Sequence, residues 1–151
     1  MSGAVAFDAP DEDGPATGPA GDPTRLSGLV IARGAAAGLV LAVPAAFANS
    51  VFADQTPKPR GAINLSFLVV FLGFGLAGWM AGREAPGQVA KHGALAALAA
   101  FVPVEVIAVL GRLDREAGVS IFAIVFVGLL AACLGTMGAA AGGRKRKGGP
   151  G

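Results

Sequence analysis

The sequence predicts an all-α fold, an integral membrane four-helix bundle with an acidic tail before it and a short basic tail after it. Three observations carry that prediction. Four apolar runs, at 34–52, 65–81, 93–110 and 119–138, each match the ~20 residues (range about 17–25) that a helix needs to cross a bilayer. Charged residues make up only 15% of the 151-residue chain, against ~25% in soluble domains, and they gather between the runs. The runs are crowded with Ala and Gly, and no charged residue recurs at helical spacing within any of them. In hydrocarbon every backbone N–H and C=O must be bonded inside its own segment, so such runs become helices.

Residues 1–24 carry Asp8, Asp11, Glu12, Asp13 and Asp22 among Pro and Gly. That composition buries too little apolar surface to offset ordering, so a disordered spacer is expected. The segment 26–32 either lies at the interface or extends the first helix. Arg33 then falls at the lipid boundary, where its long side chain reaches the headgroups. Pro44 removes one hydrogen bond from the first helix and predicts a kink. The triplet Ala46-Phe47-Ala48 also fits a signal-peptidase site. A leader of about 48 residues with an acidic start departs from the usual 15–30 with a basic start, so retention of this helix is expected.

The first loop, 53–64, contains Lys58-Pro59-Arg60-Gly61, which reads as a rigid turn. The second run ends in Gly78-Trp79-Met80-Ala81-Gly82, a GxxxG unit, with Gly75 just before it; Gly34 and Gly38 form another such unit in the first run. Missing side chains let helices approach closely, and packing within the chain is expected ahead of a homodimer seam. Trp79 belongs near the membrane boundary. His92, beside Lys91 at the start of the third run, is expected to be hydrated. Cys133 has no partner for an intrachain disulfide and behaves as a small apolar residue. One Cys and one His leave no spacing for a metal site, so neither a metal nor another cofactor is expected.

Glu105 is the candidate functional residue, an intramembrane polar site. It lies inside the third run, two residues after Pro103 and about 8 Å below the outer edge; a charge costs about 2.5–3.5 kcal/mol at mid-bilayer and less toward the edge. One reading makes it a proton- or cation-binding carboxylate. The other makes it a shallow polar residue bonded to Asn64, Ser66, Ser120, water or Arg112. Arg33, at the opposite boundary, lies about 20 Å away along the membrane normal and is not an expected partner.

After the fourth run, Arg144, Lys145, Arg146 and Lys147 form a basic cluster next to the membrane. Each such residue near an anionic leaflet is worth about 1 kcal/mol, which assigns the cluster to topology and lipid contact rather than to nucleic acid. Four crossings put both termini and the second loop on one face. That face holds eight of the twelve Lys and Arg residues, so a cell (inner) membrane location with cytoplasmic termini is expected.

The stretch Gly73–Arg83 followed by Lys91-His92-Gly93-Ala94-Leu95 resembles small uncharacterised four-helix bacterial membrane proteins, in which a Gly-rich second helix ends Ala-Gly-Arg and a His-Gly opens the third. The resemblance implies the architecture and brings no activity with it. Small multidrug transporters share the helix count, but their key carboxylate lies in the first helix, where this chain's apolar run has none.

No nucleophile–base arrangement or phosphate loop is visible, so no enzyme is expected. The leading expectation is a structural or accessory membrane subunit, contacting lipid and either a homo-oligomer or another membrane protein. A small proton- or cation-coupled transporter or channel using Glu105 is the alternative, and a holin-like pore former a weaker one.

Overall fold

A computed structural model describes residues 26–144. The expected acidic tail, Arg25 and Lys145–Lys147 lie outside the described residues. Four helices follow one another: α1 (Gly28–Asp54), α2 (Arg60–Glu84), α3 (Val89–Asp114) and α4 (Ile121–Arg144). All four are long and apolar enough to cross a membrane. The fold is the all-α membrane four-helix bundle.

Each of the first three helices outruns its apolar stretch at both ends. Lipid selects apolar residues, whereas the backbone hydrogen-bond ladder runs on through polar ones. Arg60 and Gly61 therefore open α2 and do not form the expected turn; the first loop shrinks to 55–59. The second and third loops are 85–88 and 115–120. Segment 26–32 mostly joins α1. Ser27 caps it, with its Oγ accepting from the Val30 N–H at 3.5 Å. At α4 the outcome reverses. Val119 and Ser120 precede the helix, because Ser120 Oγ accepts from the Ala123 N–H at 3.3 Å and fixes the start at Ile121. The C-terminal boundary also moves, since Gly143 and Arg144 belong to α4 and not to a tail. Pro44 and Pro103 sit inside unbroken helices.

Short loops make successive helices antiparallel. α2 and α3 each pack on the other three helices, while α1 and α4 occupy opposite corners and barely touch. One end of the bundle thus gathers the starts of α1 and α3 with the ends of α2 and α4; the other end holds loops 55–59 and 115–120.

The interior is built from small side chains. Ala42, Ala77, Ala81, Ala96, Ala97, Ala100, Ala131 and Ala139 are fully buried, whereas Phe122 is 80% exposed and Ile121 76%. Water would drive the large groups inward. Lipid is as apolar as they are, so close backbone packing decides which faces meet. At Gly34 an added Cβ would lie 2.7 Å from Ala77 O, and at Gly38 2.6 Å from Gly73 O, so both face α2. Gly78 and Gly82 press on α4 at Gly135 and Ala139. Gly75 differs: its own Cβ position is open, and only its carbonyl meets α4, at Gly138.

Candidate functional site

The end of the bundle that carries loops 55–59 and 115–120 contains a partly open cavity of about 180 Å³. That is room for one benzene-sized group, which occupies an engineered cavity of about 150 Å³, or for roughly six waters. Its floor is an aromatic chain. Phe74, fully buried, meets Phe71 edge-on at 6.3 Å between centroids and Phe101 at 6.2 Å. Gly128 of α4 faces the last of these rings: a Cβ there would lie 3.4 Å from Phe101 Cε1, in ordinary van der Waals contact. Val70 and Val104 extend the apolar wall.

The rim is polar. Asn49 and Ser50 come from the last two turns of α1, Glu105 and Arg112 from α3, and Arg115 from the start of the third loop. Glu105 lies nine residues before the end of α3, about 14 Å at 1.5 Å per residue. Its Oε1 accepts from Arg112 Nη1 at 3.3 Å. The seven-residue spacing, two helical turns, brings the two side chains to one face. Of the expected partners, Ser66 instead donates to the Ala62 carbonyl and Ser120 caps α4. Arg115 Nη1 donates to Asp54 Oδ1 at 2.9 Å and ties the third loop to the end of α1. Asn49 Oδ1 is buried, and no donor among the described residues reaches it.

Arg33 is at the far end of the bundle, paired with Glu84 at 3.5 Å and 61% exposed. His92 is there too, and it departs from the hydrated residue expected. It is fully buried. Its Nε2 accepts from the Ser27 backbone N–H at 3.0 Å, and its Nδ1 lies 3.2 Å from the Gln88 carbonyl. An N–H must donate and a carbonyl must accept, so the ring is the neutral tautomer with its proton on Nδ1. It fastens the first turn of α1 to that of α3. Trp79 lies at this end, with the Arg83 guanidinium 4.7 Å from its ring centroid. Cys133 is exposed on α4. Arg144 closes α4 at the same end.

Sequence reasoning singled out Glu105 but passed over Asn49, Arg115 and the seams of α4. One signal was present: Gly128, Gly135 and Gly142 recur every seven residues, the repeat of a helix face packed against another helix. Asn49 was equally visible as a lone amide inside an apolar run. Among family models, curated proteins and solved structures, none matches this chain.

Proposed function

We propose that the chain is a non-catalytic subunit of a cell membrane, a structural or accessory multi-pass protein with both termini in the cytoplasm. The observation that carries this reading is the sealed half of the bundle. Between Phe74 and His92 the buried core positions among the described residues are Ala and Gly, with backbones in close contact and no polar side chain among them. Glu105, the acidic side chain at membrane depth among the described residues, is already matched by Arg112 of the same helix. A bundle closed in this way favours packing against other membrane components over conducting a solute. The bias of Lys and Arg toward the face with the termini supports the orientation.

A second reading, a proton- or cation-coupled transporter, draws on the cavity beside Glu105. Proteoliposome flux separates the two. Absence of pH-driven flux both in the native chain and in Glu105→Gln supports the accessory role; flux lost in Glu105→Gln overturns it. Crosslinking in native membranes then identifies the partner. For orientation, a Cys133→Ser background with single cysteines at Lys58 or Glu116 is expected to react with impermeant maleimide from outside. Labelling only after lysis would invert the topology.

A further inference from the structure

The cavity rim offers more hydrogen-bonding capacity than the chain consumes. Arg112 and Arg115 each spend one guanidinium N–H, on Glu105 and Asp54. A guanidinium carries five such donors in a fork that matches a carboxylate. Two partly buried guanidinium groups on one small cavity therefore make an anion-accepting edge, their side chains being about one-third exposed. The same rim holds acceptors. Glu105 uses only Oε1, leaving Oε2 uncommitted. Asn49 Oδ1 is buried without a donor among the described residues, a state that usually costs stability. Asn49 lines the cavity, so a donor entering there would supply the partner this oxygen lacks. Beneath both sets lies the apolar floor of Phe71, Phe74 and Phe101, bounding a space of about benzene size.

We infer that this cavity binds a free α-amino acid with an apolar side chain up to the size of a benzyl group. The carboxylate meets Arg112 and Arg115, the ammonium meets Glu105 Oε2 and Asn49 Oδ1, and the side chain rests on the phenylalanine floor. A simple anion would leave the acceptors unmatched, and a simple amine would leave the guanidinium donors unmatched. A zwitterion satisfies both within one small rim. The inference goes beyond the accessory role, giving such a subunit a ligand to respond to, and it does not require transport.

The test uses the full chain in nanodiscs, with binding read by calorimetry and saturation-transfer NMR. The probe is L-phenylalanine; phenylpropanoate lacks its ammonium and phenethylamine lacks its carboxylate. Saturable binding of phenylalanine is expected, at least about tenfold tighter than of either analogue, as one charge-assisted contact implies. Arg115→Gln should erase the preference over phenethylamine and keep that over phenylpropanoate; Asn49→Leu should do the reverse. Ala108→Phe, which fills the cavity, should abolish binding of all three. If either rim variant fails to fold, the other one and the native selectivity decide. No saturable phenylalanine binding, equal affinity for an analogue, or an Arg115→Gln that weakens all three ligands alike would overturn the assignment.

Discussion

The two ends of this bundle are built from the same helices and solve packing in opposite ways. At the end where α1 and α3 begin, Gly34, Gly78, Gly82, Gly93 and Gly135 bring backbones into direct contact, and His92 fills the remaining space while bonding across it. At the opposite end the bulky rings of Phe71, Phe74 and Phe101 line a gap that is rimmed with charged and amide groups. A membrane protein gains no stability from water expelled between its helices, so the contact distance set by side-chain size decides where a bundle is solid and where it has room. Small residues make the clamp, and aromatic residues make the cavity.

Substitutions at the clamp should have the largest effects. Gly135→Val places its Cβ 2.5 Å from Ala97 Cβ and against the Gly93 backbone, which cannot give way. A loss above the usual overpacking range of about 1–3 kcal/mol is expected, seen as a collapse of the unfolding midpoint in detergent. Gly75→Ala is the control. Its Cβ meets nothing within 4 Å, so a gain of about 0.5–1 kcal/mol from helix propensity is expected. Equal losses in the two variants would break the distinction between seam and open glycines.

His92→Ala comes next. It opens a void and strands the Ser27 N–H, for an expected loss of about 2–3 kcal/mol. Faster hydrogen exchange at Val30 and Ile31 should accompany it, because the α1 cap loses its anchor. A hydrated His92 would show neither effect.

The ion pairs rank below this. Glu105 and Arg112 are 14% and 33% exposed, so a double-mutant cycle to alanine should give a coupling of about 1 kcal/mol. Arg33 and Glu84 are 61% and 34% exposed, and Arg33→Ala should change stability by no more than about 0.5 kcal/mol. Salt sensitivity would sharpen the contrast, since the exposed pair is screened more strongly.

Much of the fold was legible in the sequence. The four spans could be read from run length, and Gly34, Gly38, Gly78 and Gly82 from the GxxxG spacing. Glu105 stood out because a charge in an apolar run is costly, and its reach to Arg112 followed from a seven-residue spacing within one helix. Helix ends were less legible at Arg60, where a polar turn continues the ladder, and at Ser120, where one hydroxyl stops it. His92 was misread because its partner, the Ser27 N–H, lies 65 residues away. Arg115 escaped notice for the same reason, with Asp54 61 residues distant.

The sequence alone thus determined that this chain forms four membrane-length helices with charged connectors, because hydrophobicity and length are sums over neighbouring residues and the backbone has one way to satisfy itself in lipid. Only the tertiary structure decided that Gly75 turns its Cβ position to open space while Gly78 meets Gly135, that His92 is a buried tie, and that Asn49, Glu105, Arg112 and Arg115 share one cavity. Those outcomes depend on how each helix is rotated against its neighbours, and that rotation is fixed by contacts between residues far apart along the chain.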